Sequence, residues 1–238
     1  MLKRDYYAHV TPEGEGPRQR FLDAGGGQWE LVAENIARCR NCGDLDRQRV
    51  AEFHQGWMNS PEHRENILRM GLTRFGFGAA TEAGVICAVQ TFAGPGTSRG
   101  NDRTEIEMED VARLAREFVG EARADAGAPA LPSSPILAGA AEAALPKDLD
   151  GFRLDDIDVF QSDTNILREF TEVQAFAGEC GGCGPVPTSG DVRAFLGDWL
   201  QQDSRRTRIL DATITHFGMA LRSDGKGRKV AILLLGAE

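Results

Sequence analysis

The sequence predicts an α+β protein made of two copies of one layered unit, each packing helices on a small antiparallel sheet. Three observations carry this. The chain repeats itself at a fixed offset of 142 residues: Val50/Val192, Phe53/Phe195, Trp57/Trp199, Arg64/Arg206, Ile67/Ile209, Leu68/Leu210, Thr73/Thr215, Phe75/Phe217 and Gly76/Gly218 are identical pairs. Upstream of each tryptophan lies a C-x-x-C-G motif, Cys39 to Gly43 and Cys180 to Gly184, with one residue of slippage. Downstream of each, two apolar runs flank a turn, the mark of a hairpin. Isolated apolar matches arise by chance, but a Trp, a CxxCG and a hairpin in one order point to duplication.

Length and composition bound this reading. At about 150 residues per domain, 238 residues make roughly 1.6 domains. Hydrophobic residues at 41% and charged residues at 26% are ordinary for a globular chain. The net charge of −9 argues against a nucleic-acid or anionic-membrane partner, either of which selects a basic face. VAILLLGA at 230–237 suits a buried strand and is too short to span a bilayer. The opening MLKRDYYAHV has no apolar core of a signal peptide.

In the first copy, the run Gly25 to Gly27 is a loop without the Lys-Ser/Thr of a phosphate cradle. A loop carries the CxxC. Val50, Phe53, His54 and Trp57 then form the stripe of a helix, with His54 at the core edge. A corner leads to the strands TRFGFGAA and VICAVQTF, the second of which buries Cys87. A linker at 94–103, rich in Gly, Ser and charge, follows. In the second copy, residues 105–127 are a helix with Val111, Leu114, Ala115, Phe118 and Val119 at helical spacing and Gly127 at its end. Residues 129–135 are a loop and 136–144 a second helix. Val192, Phe195, Leu196 and Trp199 repeat the tryptophan stripe, and SDGKG turns the last hairpin, with His216 exposed. The expected domains are therefore 1–96, lacking its first helix, and 104–238. The shortfall predicts upstream sequence resembling 111–127.

YYAHVTPEG (6–14), AENIA (33–37), GWMNSPEHRENIL (56–68), FGFG (75–78) and VQTFAG (89–94) occur in the order of a known family. This stretch resembles the bacterial branch of the CAP superfamily: cysteine-rich secretory proteins, antigen 5 and pathogenesis-related proteins, also called SCP-like. Residues 106–238 resemble it only through the first helix, the tryptophan helix and the hairpin. The resemblance implies tandem α-β-α sandwiches, the second degenerate, and a secreted or periplasmic location.

It also implies a cleft of two histidines and two glutamates able to hold a divalent ion, often zinc. His9, Glu34 and His63 match the first histidine, one glutamate and the second histidine. Ser60 stands where the second glutamate is expected, which leaves three candidate metal ligands. Asn35, Ser60 and Arg64 are candidate ligand-binding residues beside them. Arg18 and Arg20 in GEGPRQRF are expected at the cleft rim. The second copy fails the pattern. Arg205 takes the His63 position and Ala175 that of Glu34, and an arginine has donors only.

The cysteines leave alternatives open. Cys39, Cys42, Cys180 and Cys183 suit one four-cysteine zinc site shared between the copies, a disulfide within each pair, a redox pair, or free thiols. Three functions follow. One is a binding module whose cleft takes an extended ligand such as a cell-wall glycan, peptide or lipid. Another is a metal-dependent hydrolase or protease with Glu34 as base. The last is a non-catalytic structural protein held by the four-cysteine zinc.

Overall fold

A computed structural model describes residues 1–157 and 166–238. They form two compact units, Met1–Gly96 and Thr97–Glu238. The class is α+β, with a three-stranded antiparallel sheet in each unit. Among the described residues, no helix is long and apolar enough to cross a membrane.

The first unit contains α1 (Pro17–Asp23), β1 (Leu31–Arg40), α2 (Arg47–Met58), α3 (Pro61–Leu68), β2 (Arg74–Glu82) and β3 (Val85–Gly94). Its strand order is β1-β3-β2. The hairpin between β2 and β3 closes on Ala83 and Gly84, both at positive φ (49° and 74°), a two-residue turn whose twist matches the strands. The Asp46 side chain caps α2 by accepting from the Arg49 amide, and Pro61 opens α3 where its missing N–H costs nothing. Phe53 and Trp57 bury the inner stripe of α2 against Ile86 and Ala88 of β3. The Trp57 indole donates to the Ile36 carbonyl at 3.0 Å, which satisfies its one polar atom. His54 lies outside this stripe and is exposed.

β1 corrects the sequence reading. The CxxC was expected in a loop, yet Cys39 is the penultimate residue of a ten-residue strand, and Cys42 follows the turn at Asn41 (φ 55°). The expected corner after α2 is the helix α3.

The second unit contains α4 (Met108–Asp125), α5 (Pro135–Ala143), α6 (Ile166–Glu169), β4 (Glu172–Cys180), α7 (Ser189–Leu200), α8 (Asp203–Ile209), β5 (His216–Ser223) and β6 (Lys229–Ala237). Its strand order, β4-β6-β5, repeats the pattern of the first sheet. Here helices cover both faces. α4 and α7 pack Val111, Ala115, Val119, Phe195 and Trp199 against Phe217, Met219 and Leu221. On the other face, Leu137, Ala140 and Ala141 of α5 meet Ala220, Val230 and Ile232. β6 is therefore buried at every position, and its continuous apolar run follows from that. His216 is partly covered, edge-on to Phe170, rather than exposed.

One polar pair sits inside this apolar unit. Lys229 on β6 and Asp191 in the first turn of α7 are both fully buried and paired. Asp191 also accepts from the Thr188 amide and hydroxyl, closing a capping box, and from the Arg99 amide. Lys229 donates to the Ser98 hydroxyl as well. Residues 97–104 are thereby tied to this unit, with Thr104 and Asp102 carbonyls accepting from the Ser189 and Gly190 amides. Burial pushes the Lys229 ammonium below its ordinary pKa, and Asp191 opposes that shift. Removing one partner leaves a charge uncompensated in the interior. Asp191→Ala or Lys229→Ala should each lose about 3–5 kcal/mol in urea unfolding, while Asp191→Ala with Lys229→Met should lose less than the two single losses combined. Single losses below about 1 kcal/mol would contradict this assignment.

Candidate ligand cleft

The cleft candidates gather on β1 and the elements that lie across it. Glu34 is in the middle of the strand with its side chain only 5% exposed. A carboxylate so placed needs compensating donors. Its Oε1 contacts His9 Nδ1 at 2.9 Å, and its Oε2 accepts from Arg20 Nη2 at 2.7 Å. Arg20 lies in the last turn of α1. Its second guanidinium nitrogen donates to the carbonyls of His9 (3.0 Å) and Glu15 (2.9 Å). One arginine thus fastens both the carboxylate and the loop that carries His9. Thr11 and Glu15 close that loop with a backbone bond and a hydroxyl bond. Tyr7 anchors it from the other end: its phenol donates to the Ile36 carbonyl at 3.1 Å, under the Arg38 guanidinium. Burial raises the Tyr7 pKa, which keeps the phenol a donor.

Asn35, the next residue on β1, points to the opposite face and is fully buried. Its amide donates to the His63 carbonyl at 3.0 Å, and its oxygen accepts from Asn66 at 2.9 Å. This network fixes α3 on β1. The His63 ring contacts the Ser60 hydroxyl through Nδ1 at 2.9 Å. Arg64 is exposed on α3.

The structure therefore brings His9 to Glu34, and Asn35, Ser60 and His63 to one another. Arg20 is the central residue that sequence reasoning placed only at the rim. The requirement that could have found it is physical: a glutamate inside an alternating strand calls for a cation nearby. Arg18, its neighbour, instead holds the turn before β1 through the carbonyls of Gln28 and Glu30.

The donor set does not assemble as a metal site. Both Glu34 oxygens are engaged, one by a guanidinium that an incoming cation would have to displace. Among the described residues, no group of three or more His, Cys, Asp or Glu is placed to hold one ion. The cysteines form local disulfides, Cys39–Cys42 and Cys180–Cys183. A disulfide offers no thiolate, so the shared four-cysteine zinc site would require both pairs to be reduced. Cys87 keeps its thiol, buried in the sheet.

At the matching positions of the second unit the chemistry differs. Ala175, five residues before the first cysteine as Glu34 is, has no charge to bring. Arg205, six residues after Trp199 as His63 is after Trp57, lies over the Phe176 ring. Arg208 pairs with Gln174, Glu172 and Asp211.

Two outcomes test this geometry. In a double-mutant cycle of Arg20→Gln and Glu34→Gln, the coupling should be about 1–2 kcal/mol in urea unfolding, and a coupling near zero would mean that the contact is not made. Unfolded without reductant, the chain should titrate one thiol, and five after reduction. Five thiols before reduction would mean that the CxxC pairs are open.

Comparison with known proteins gives few matches at the level of sequence. No curated protein matches the chain. Among solved structures, Na-ASP-1 aligns over 92% of this chain and 78% of its own, at 9% identity and TM-score 0.45. A cysteine-rich secretory protein from Staphylococcus aureus aligns over 69% of this chain and 56% of its own, at 12% identity and TM-score 0.42. The CAP domain of enterococcal PrgA aligns over 82% and 80%, at 14% identity and TM-score 0.40. The family model of the cysteine-rich secretory protein family, CAP, matches residues 1–92, and the first unit is thus the part of this chain that is similar to that family.

Proposed function

We propose that the chain is a CAP-type binding module. Its first unit takes an extended ligand at the His9–Glu34–Arg20 cluster, with the Ser60–His63 pair as a separate second contact, and its second unit is a degenerate copy without that cluster. The observation that carries this reading is the engagement of Glu34 by Arg20 and His9. A carboxylate placed like this is a poor general base, because both of its oxygens are already engaged, one by a guanidinium and one by an imidazole, and neither is free to face an attacking water. The hydrolase reading loses its base on that argument. What remains is an arrangement that fixes His9 through Glu34 and Arg20, with the His9 ring and the Arg64 side chain exposed to a ligand. Such an arrangement selects a ligand rich in acceptors: a cell-wall glycan, a peptide backbone or a lipid headgroup.

Duplication is supported by the residue pairs at one offset, by the same strand order in both sheets and by a disulfide at the same strand end in each. The disulfides, and the likeness of residues 1–92 to the cysteine-rich secretory protein family, support an oxidising compartment outside the cytoplasm. Zinc carried by His9, Glu34 and His63 would have to displace Arg20. Zinc affinity should therefore rise in Arg20→Gln if such a site exists.

The test is a nuclear magnetic resonance titration of the full chain with a soluble peptidoglycan fragment, an extended peptide and anionic lipid vesicles in turn. One class should bind, at least tenfold more weakly in both His9→Ala and His63→Ala. Equal binding by the variants would place the ligand elsewhere. Turnover of peptide or glycan that is lost in Glu34→Gln would replace the binding module with an enzyme.

A further inference from the structure

The sheet of the first unit leaves bare a face that the second unit covers. On β5, Phe217, Met219 and Leu221 are buried beneath Val111, Ala115 and Val119 of α4. At the repeat offset, β2 presents Phe75, Phe77 and Ala79. Phe75 is 68% exposed and Phe77 39%. Phe75 stacks on Phe92 with ring centroids 6.3 Å apart, and Phe77 meets Trp57 edge-on. Beside them is a cavity of about 330 Å³ whose wall includes His54, Ile67, Leu72, Phe75 and Phe92. Adjacent exposed aromatics beside a cavity whose wall mixes apolar side chains with His54, Thr73, Arg74 and Gln90 mark an interaction surface rather than scattered surface residues.

A second observation concerns the backbone. In the second unit the outer edge of β5 is occupied. The Phe217 amide donates to the Pro132 carbonyl at 3.1 Å, and the Phe217 carbonyl accepts from the Ser134 amide at 2.7 Å. These residues lie seven and nine positions after the end of α4, so helix and edge segment belong to one continuous stretch of chain. β2 pairs with β3 on one side only, and Phe75 holds the ladder position that Phe217 holds, opposite Phe92 as Phe217 is opposite Leu235. Unused edge amides and carbonyls are a template for an added strand.

We propose that this face of the first unit is a docking surface for an amphipathic helix followed by a short extended segment. The helix would carry small or branched apolar residues at i, i+4 and i+8, as Val111, Ala115 and Val119 do. Its stripe covers Phe75 and Phe77, and its extended tail pairs with the edge of β2 at Phe75. The proposal rests on the duplication reading above, because the second unit supplies the occupant's chemistry.

The probe is a synthetic peptide of residues 105–135 added to the full-length chain labelled with nitrogen-15. The peptide should bind, shift the amide signals of β2 and its neighbours, and bind at least tenfold more weakly to Phe75→Asp. Since Phe75 is largely exposed, this variant should keep the wild-type unfolding midpoint. His9→Ala should bind the peptide as the wild type does, which separates this surface from the cleft. Absence of peptide binding while cleft ligands still bind would overturn the docking surface and leave the binding module standing. Binding unaffected by Phe75→Asp, with shifts elsewhere, would show that the correspondence of the two units is wrong. A dimer of the chain in sedimentation that is lost in Phe75→Asp would give the surface to a second copy and overturn the helix proposal.

Discussion

A carboxylate withdrawn from water has to be matched by donors, and in the first unit Glu34 imposes that demand in the middle of a strand. The answer is Arg20, assisted by His9. Much of the local architecture follows from this pairing. α1 must lie across β1 for its last turn to reach the strand, and residues 9–15 must fold back so that their carbonyls take the remaining guanidinium donors. The charge pair holds α1, the loop of residues 9–15 and β1 together, with Glu34 as the residue that positions them.

The second unit shows what happens when that demand is lifted. Ala175 has nothing to neutralise, and arginines move into the region through contacts with Phe176, Gln174 and Glu172 instead. Its buried charge sits elsewhere, as the Lys229–Asp191 pair that joins β6, α7 and the segment after the first unit. At the matching positions the first unit has Ile86 and Arg49. Costly polar contacts thus join α1 and the loop of residues 9–15 to β1 in the first unit, and tie residues 97–104 to the sheet and α7 in the second. Apolar burial follows a parallel contrast: helices enclose the second sheet on both faces, while the first leaves Phe75 and Phe77 open.

How much of this was legible varied with the kind of signal. Hairpins showed because paired apolar runs flank short turns, and α4 and α7 showed because their stripes hold strict helical spacing. β1 did not show, because LVAENIARCR carries buried Glu and Asn on its two faces and so lacks the alternation of a half-buried strand. His54 misled for a related reason: it fits the α2 stripe by spacing, yet it borders a face that no helix of the first unit covers. The histidines and Glu34 could be named from their motifs, whereas Arg20 could not, since its role depends on a contact across fourteen residues that no local pattern encodes. Cysteine spacing was equally compatible with zinc and with disulfides, and only the closure of each pair on itself separates them.

The protonation of His9 tests the central claim most directly. An ionised Glu34 accepts hydrogen bonds and donates none, so the His9 nitrogen that faces it must carry a proton. Nitrogen-15 chemical shifts of the imidazole ring report this atom by atom. The account predicts a proton on Nδ1 at neutral pH, whether the ring is neutral or charged. A neutral ring protonated only on Nε2 would contradict it, because Nδ1 and the carboxylate would then face each other with no proton between them.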